Sequence, residues 1–282
     1  MPELPETETI ARDLDAEIRG ATVTSVTVLR ADVLREVDAS EFSRLLLHAC
    51  VLRVWRRAKL IVLDLETATG PRHLMVQPRF TGGLLLVANA LPEALAEYVC
   101  ISMTLRMPLG DGRSLHYRDV RRLGTVALMS TDRFTEYSAG LGREPLDAEF
   151  TDTDLSALLR LSRQPIKAVL MDQRRLAGVG NIYANEALWK AGIDPSREAR
   201  GVSVAEASAL LHALRDVLTA SIAARGTSFR DYRDARGERG TFVAQLAVYG
   251  RAGESCQRCG RRLVGTHAID GRSTVFCPTC QA

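Results

Sequence analysis

Lysine is scarce in this chain. Lysine and arginine together number 37 in 282 residues, but the only lysines are Lys59, Lys167 and Lys190. Chemistry that needs an amine is therefore limited to these three side chains and to the N-terminal amine, which belongs to Pro2 once Met1 is removed. We attribute most of the arginine bias to genomic base composition, although arginine also binds phosphates and groove edges better than lysine does.

Long apolar runs are absent as well. No run approaches the ~20 residues that span a bilayer, and the N-terminus lacks the basic and apolar regions of a signal peptide. The sequence thus predicts a cytoplasmic protein without a membrane partner. A hydrophobic content of 46% is sufficient for real cores, and 282 residues suggest two domains. The net charge of +3 does not by itself indicate a nucleic-acid partner.

The first half of the chain is typical of one helix followed by many short strands. Ile10, Leu14 and Ile18 lie on one face of a predicted helix over residues 5–19, which Gly20 ends. A short helix is expected at 39–49 and a turn at 110–112, and the strand-like runs are 22–29, 51–65, 73–77, 83–88, 99–106, 114–118 and 124–129. Such a block predicts a β-sandwich or barrel.

The second half is typical of a helical domain. Residues 140–146 predict a linker or turn, and helical patterns follow at 151–160, 165–172, 182–191 and 203–225. Thr151 and Ser203 are suitable N-caps. Residues 228–247 are polar and rich in Arg, Asp and Gly, which predicts a mobile loop. A loop of this length is either plainly solvated or functional.

The six cysteines fall into two groups. Cys50 and Cys100 lie alone in apolar surroundings and are expected to be buried. The other four form two CxxC pairs at the separation of a four-thiolate zinc site: Cys256, Cys259, Cys277 and Cys280. Two disulfides or a redox pair are the alternatives, and a cytosolic chain disfavours disulfides. Four protein ligands close the coordination shell, so the zinc would be structural.

The insert between the two CxxC pairs predicts a hairpin with residues 271–274 near its turn. A hairpin of about 30 residues has little core of its own. We interpret it as a platform for one side chain, Arg272, with an ordinary exposed arginine as the alternative.

A glycine-rich corner precedes a predicted helix at residues 177–186. Gly178 and Gly180 lead into Asn181, and such a corner points backbone N–H groups at an anion, for which a DNA phosphate is suitable. The alternative is a common glycine turn capped by asparagine.

The first residues are suited to covalent chemistry. An α-amine titrates near pH ~8, so a free Pro2 amine would be partly neutral and able to form an iminium with a sugar aldehyde carbon. Glu3 is close enough to move protons at the same centre. The alternative is an ordinary helix start, because Pro5 and Glu6 suit a first turn.

Two further basic positions stay open at this point. Lys59 lies inside an otherwise apolar predicted strand, where a solvated edge lysine is the alternative to a function. Arg121 and Arg122 follow a predicted turn, where they either reach a groove or are simply solvated.

Taken in order, these pieces resemble the formamidopyrimidine-DNA glycosylase/endonuclease VIII family from end to end. The shared segments are residues 2–6, 57–59, 119–124, 178–184, 248–251 and the finger ending at Cys280. Leu4 and the 228–247 segment, which resembles a lesion-capping loop, favour the formamidopyrimidine branch.

The resemblance implies a role for each matching residue. Pro2 would attack C1′ of the damaged nucleotide, and Glu3 would act as acid and base at the sugar. Lys59 would assist elimination and hold a phosphate. Arg272 and Asn181, the latter in a helix–two-turns–helix corner, would grip the phosphates at the lesion. This chemistry needs the base out of the stack.

The sequence departs from the family pattern where DNA is opened. Phe80 stands where the family inserts a Met into the gap left by the flipped base, and an aromatic ring also fills a vacated stack. Arg121 is retained to contact the orphaned base, while Leu123 replaces a Phe. A phosphate-contacting His falls near Tyr98 and is not transferred. Arg163 is the best match to a basic DNA contact.

The expected fold is α+β multidomain, with an N-terminal β-sandwich and flanking helices before a helical domain with the helix–two-turns–helix motif and a four-cysteine zinc finger hairpin. The expected domains are catalytic (1–132), linker (133–150), DNA-binding (151–227), lesion-capping loop (228–247) and finger (248–282).

The expected function is a bifunctional DNA glycosylase/AP lyase that excises oxidised purines from double-stranded DNA, acts as a monomer and leaves a one-nucleotide gap after β,δ-elimination. The same chemistry on oxidised pyrimidines, or a non-catalytic damaged-DNA-binding protein, are the alternatives.

Overall fold

A computed structural model describes residues 2–88, 91, 93–110 and 112–282. Met1 therefore lies outside the described residues, and so does Asp111, the middle residue of the expected 110–112 turn. The chain divides into two compact units, one formed by residues 1–139 and 224–241 and the other by residues 140–223 and 242–282.

The first unit contains most of the strands. Its helices are α1 (Leu4–Ile18), α2 (Ala39–Leu46), α3 (Glu93–Ala96) and α4 (Thr131–Ala139). Its strands are β1 (Thr22–Val28), β2 (Leu34–Arg35), β3 (Cys50–Arg57), β4 (Leu60–Thr67), β5 (Gly70–Gln77), β6 (Gly82–Val87), β7 (Val99–Arg106), β8 (Gly112–Asp119) and β9 (Thr125–Ser130).

These strands form the expected β-sandwich. Within the described residues the strand order is β2-β9-β5-β4-β3-β1-β7-β8-β6. One half of the sandwich runs from β2 to β3 in this order and the other from β1 to β6, and they meet where Thr22 on β1 pairs with Cys50 on β3. All pairings are antiparallel except β2 with β9. Both halves and the apolar face of α1 contribute side chains to one core, including Ile10, Leu14, Leu63, Met103 and Leu115.

Two expectations for this unit need correction. Residues 51–65 are two strands, because the chain turns at Ala58-Lys59, where Ala58 adopts a left-handed φ of 54°. Residues 131–139, part of which was assigned to a linker, form the helix α4. Its Phe134 stacks on His73 with ring centroids 4.5 Å apart, which fixes the helix to the outer face of β5.

The second unit is helical with a small hairpin. It contains α5 (Asp152–Arg160), α6 (Ile166–Met171), α7 (Asn181–Ala191), α8 (Val204–Ala223), β10 (Val264–Thr266) and β11 (Thr274–Phe276). Thr151 caps α5 as expected, since its side chain accepts the Asp154 N–H. One core joins the helices, and a smaller one, which includes Val248, Leu263 and Val275, lies under the hairpin.

The segment that returns to the first unit is more ordered than a solvated loop. Tyr232 and Ala235 are 5% and 2% exposed and belong to the sandwich core. The Leu86 N–H of β6 donates to the Ala235 carbonyl at 2.9 Å. The end of the expected loop is a 3-10 turn, Phe242–Gln245, in the second unit.

Candidate active site

The N-terminal turn buries two candidate catalytic residues. Pro2 is buried directly before α1, and Glu3, the N-cap of that helix, is 1% exposed. Glu3 and Glu6 form a reciprocal capping box, in which the Glu3 N–H donates to Glu6 Oε2 at 2.8 Å. The capping box therefore fixes the backbone of the turn that carries Pro2 and Glu3 to the first turn of α1.

Lys59 lies in the tight β3–β4 turn and is half-buried. The turn is fixed to α1 through Arg56, whose Nη1 donates to the Ala58 carbonyl at 3.0 Å and whose Nε donates to Glu8 at 2.7 Å. Burial opposes ionisation of Glu8, but Arg56 and Arg12 outweigh it and lower the pKa of that carboxyl. The structure thus anchors the turn that carries Lys59 to the helix that begins beside Glu3.

Phe80 and Arg121 are in direct contact. The Arg121 guanidinium lies over the Phe80 ring, 5.0 Å from its centroid, and both Phe80 and Leu123 are nearly half exposed. The turns that carry them are joined by the buried Asp119 and by Thr81, whose hydroxyl donates to Asp119 and accepts the Arg121 N–H at 3.0 Å. The structure therefore assembles the three residues expected at the opened base pair.

The same two turns pack closely around one hydroxyl. A Cβ on Gly124 would lie 2.1 Å from Tyr117 Oη, and one on Gly82 would lie 2.8 Å from it. Burial raises the pKa of the Tyr117 hydroxyl, with the Asp119 carboxylate acting in the same direction. Glycine at 82 and 124 is thus required by the close approach of the turns.

In the second unit, the side chain of Gln173 bonds the backbone of the glycine-rich corner before α7. Gln173 Nε2 donates to the Val179 carbonyl at 2.8 Å, and its Oε1 accepts the Gly178 N–H at 2.9 Å. The corner delivers Asn181 to the first position of α7, where its Nδ2 donates to the Ser273 carbonyl at 3.0 Å. Asn181 and Arg272 are therefore brought together, because Ser273 is the next residue after Arg272.

A buried lysine holds the hairpin tip. Lys167 on α6 is fully buried, and its Nζ lies 3.2 Å from both carboxylate oxygens of Asp270 and 2.7 Å from Thr274 Oγ1. Asp270 Oδ1 also accepts the Arg272 N–H at 3.0 Å. Since a buried cation needs such partners, this cluster fixes the turn that presents the exposed Arg272.

The four finger cysteines converge. Their sulfur atoms all lie within 4.8 Å of one another, and those of Cys259 and Cys277 are 3.5 Å apart. The Arg258 N–H donates to the Cys256 sulfur at 3.4 Å. Outside the finger, Cys100 is buried as expected, whereas Cys50 is only half-buried; none of the six cysteines is disulfide-bonded.

Arg163 lies apart from these clusters. It is exposed in the connection between α5 and α6. Among the described contacts, none joins it to another predicted site residue.

Three family models match successive parts of the chain. They are described as formamidopyrimidine-DNA glycosylase N-terminal domain (residues 1–126), formamidopyrimidine-DNA glycosylase H2TH domain (141–233) and zinc finger found in FPG and IleRS (253–282). A formamidopyrimidine-DNA glycosylase from Pelotomaculum thermopropionicum is 38% identical over 283 residues, covering 100% of this chain and 99% of the relative. The chain belongs to the formamidopyrimidine-DNA glycosylase family.

Other members agree with this assignment. The Moorella thermoacetica formamidopyrimidine-DNA glycosylase is 42% identical over 265 residues, 93% of each chain. A structure of the Lactococcus lactis Fpg with DNA that contains an abasic site has a TM-score of 0.87 at 30% identity, covering 99% of both chains. Another, of its complex with DNA that contains N7-benzyl-Fapy-dG, has a TM-score of 0.88 at 31% identity.

The finger of this family member holds one structural zinc ion. Its four thiols converge with the geometry a tetrahedral site needs, and the zinc-finger family model covers them. No position is left for a substrate, so the ion stabilises the hairpin. Among the described residues, no helix has the length and apolarity to cross a membrane.

Sequence reasoning missed the roles of three residues. Glu6, Asp119 and Lys167 are buried acceptors or donors that hold the predicted site residues in place. One signal was available for Lys167, since a lone lysine in an apolar helical pattern needs a buried partner. The contacts of Glu6 with Thr227 and of Asp119 with Thr81 could not be found, because they join distant segments of the chain.

Proposed function

We propose that the chain is a bifunctional DNA glycosylase/AP lyase of base excision repair that acts on oxidised purines, notably 8-oxoguanine and formamidopyrimidines. The observation that carries the proposal is the buried Pro2-Glu3 turn at the start of α1, with the Lys59 turn tied to the same helix through Arg56 and Glu8. Membership of the formamidopyrimidine-DNA glycosylase family supports this proposal.

The first step would displace the damaged base. With Met1 removed, the lone pair of the Pro2 nitrogen attacks C1′, the glycosidic bond breaks, and the base leaves with the proton that the Pro2 nitrogen gives up. Glu3 protonates O4′ as the sugar ring opens, which gives an iminium between Pro2 and C1′. A neutral secondary amine is essential, so retention of Met1 in active protein would overturn this assignment.

The second step would cut the strand twice. The iminium acidifies the C2′ protons, loss of one expels the 3′ phosphate by β-elimination, and a δ-elimination then expels the 5′ phosphate. Lys59 assists elimination and holds a phosphate. Arg272 and Asn181, which the hydrogen bond from Asn181 to the Ser273 carbonyl brings together, grip phosphates, since phosphate contacts fix register on DNA.

The remaining DNA contacts would open the duplex. Phe80 fills the gap left by the flipped base, Arg121 contacts the orphaned partner, and Leu123 packs beside them. Arg163 is proposed as a backbone contact. The 228–247 segment, which follows the proposed DNA-binding domain (151–227) and precedes the finger (248–282), is proposed to cap the lesion.

The substrate proposal draws on the Lactococcus lactis protein. Its structures include complexes with Fapy-dG DNA and with DNA that contains an oxidised pyrimidine. We place purines first because of the 228–247 segment, with the pyrimidine range as the second candidate. We further propose that the protein is a cytoplasmic, nucleoid-associated monomer.

Borohydride trapping on an 8-oxoguanine duplex tests the function. Wild-type protein should form a covalent adduct, and the Pro2→Gly and Glu3→Gln variants should form much less. Lys59→Gln should slow the elimination that cuts the strand, and Lys190→Gln is its matched control, because Lys190 lies in an exposed ion pair with Asp216. No adduct with wild-type protein, or an undiminished adduct with Pro2→Gly, would contradict the mechanism. Mass spectrometry of the active protein should show that Met1 is absent.

A further inference from the structure

Glu6 is a fully buried carboxylate that accepts hydrogen bonds from two distant segments. Its Oε2 accepts the Glu3 N–H at 2.8 Å, and its Oε1 accepts the Thr227 N–H at 2.8 Å. The first bond belongs to the N-terminal turn. The second joins Glu6 to Thr227, which lies 221 positions further along the chain, at the start of the segment that follows α8.

The capping box alone does not explain why this residue is a glutamate. Either Glu or Gln satisfies the box, because the N-cap N–H needs one acceptor. Burying a carboxylate costs far more than burying an amide. Two donors facing one side chain require two acceptors, which a carboxylate has and an amide does not. The second carboxylate oxygen of Glu6 is therefore needed for the contact with Thr227.

The first residues of the 224–241 segment, which we call its root, make further contacts with α1. Gly226 has a φ of +87°, and a Cβ there would lie 3.0 Å from Glu6 Cγ and 2.9 Å from the Tyr232 ring. The Tyr232 hydroxyl donates to the Glu6 carbonyl at 3.4 Å. Arg225 bonds both Asp13 on α1 and the fully buried Asp234.

We propose that Glu6 is a positioning residue that holds the Pro2-Glu3 turn and the root of the 224–241 segment in one register. The same carboxylate then determines both the position of the 224–241 segment over a lesion and the direction from which the Pro2 nitrogen attacks. The inference rests on the proposed function. It assigns to Glu6 no contact with the substrate.

The Glu6→Gln substitution tests the link with almost no change in shape. An amide places an NH2 group against either the Glu3 or the Thr227 N–H, so one of the two hydrogen bonds must break. Asp154→Asn is the matched control, because Asp154 occupies the same position in the α5 capping box and, within the described part of the chain, its side chain bonds Thr151 alone.

Two measurements separate positioning from general stability. Single-turnover excision of 8-oxoguanine should slow by about tenfold or more, since small misplacements of reacting groups are costly. Hydrogen exchange of peptides covering residues 224–241 should become faster. Affinity for DNA that carries an uncleavable abasic analogue should stay within about threefold, as that binding uses phosphate contacts. Asp154→Asn should change none of these.

Gly226→Ala disturbs the same contact from the 224–241 segment, and it tests the proposal if the Glu6→Gln variant folds poorly. Its Cβ would push on Glu6, so adduct formation at a pre-formed abasic site, which needs no base recognition, should slow as well. The two changes should lose less together than the product of their separate losses, because they act on one contact.

The outcomes are distinguishable. If wild-type protein forms no adduct, the proposed function fails. If wild-type protein forms the adduct and Glu6→Gln matches it in excision rate and in exchange of residues 224–241, the role of Glu6 is refuted.

Discussion

The Arg121 guanidinium stacks on the Phe80 ring at 5.0 Å from its centroid. Each side chain restrains the other, although both lie on exposed turns. The contact is worth roughly 0.5–1 kcal/mol at an exposed site. Phe80 thus presents a partly ordered flat ring at the position proposed to fill the gap left by a flipped base.

Phe80→Ala should slow excision from duplex DNA more than cleavage of abasic sites in single strands. The ring would fill the space of an extruded base, and unstacking costs a few kcal/mol, so a loss of roughly tenfold is expected on duplex only. Leu109→Ala, which removes another exposed apolar side chain, is the control. Equal losses on both substrates would exclude the wedge role.

Lys167→Met should destabilise the second unit by about 3–5 kcal/mol, because it leaves Asp270 without its buried cation. Urea unfolding followed by circular dichroism measures the loss. The double variant with Asp270→Asn should recover part of it. Lys190→Met, which removes one partner of an exposed pair, should cost under about 1 kcal/mol. Similar losses for the two lysines would show that the hairpin anchor is unimportant.

Glu206 should make stability depend on pH in the acid range. Hydrogen bonds from Arg197 and from the Ser203 N–H lower the pKa of Glu206 to about 2. A depressed pKa stabilises the folded protein above the ordinary value of 4.5, and this contribution is lost as the pH falls towards 2. Glu206→Gln should therefore be less stable at pH 7, by about 1 kcal/mol for a partly exposed pair.

Thermal unfolding from pH 7 to pH 2 checks the sign. The gap between wild-type protein and Glu206→Gln should narrow below about pH 4.5. Glu198→Gln, which removes an exposed pair with Arg200, controls for loss of a surface charge. A gap that widens with acid would contradict the assignment.

Removal of zinc should unfold the finger and leave the sandwich folded. A chelator should release one zinc ion per chain, abolish DNA binding and alter the emission of Trp189, whose ring packs on the finger core and under Arg258 at 4.4 Å. Cys256→Ser should reproduce the loss of metal, whereas Cys50→Ser should retain it. Metal content by atomic absorption and binding by fluorescence anisotropy give the result.

Most regular elements follow from local patterns in the sequence. The apolar spacing of Ile10, Leu14 and Ile18 predicted α1, which spans Leu4–Ile18. The CxxC spacing predicted a zinc site, and the sulfur atoms converge accordingly. These signals suffice because helix faces and metal ligands depend on residues that are near in the sequence.

The errors arise where distant contacts decide. The β3–β4 turn could not be seen in the run 51–65, because Ala58 is not a typical left-handed residue and hydropathy continues across it. The helix α4 is fixed by the contact of Phe134 with His73, which no local pattern shows. The 228–247 segment was predicted to be a polar, mobile loop, yet Tyr232 and Ala235 belong to the sandwich core.

Among the described residues, six non-glycine positions have left-handed backbone, and four of them adjoin residues that are proposed to act or to position the site; the other two are Glu36 and His48. Ala58, Arg79, Arg122 and Arg225 have φ between 51° and 60°, and each precedes or adjoins Lys59, Phe80, the Arg121–Leu123 turn or Gly226. Each such position costs roughly 1–2 kcal/mol relative to glycine. Selection for heat-resistant variants would thus enrich glycine substitutions at these four positions. It would gain stability there and loosen the turns on which repair depends, so such libraries should be screened for excision as well as for melting temperature.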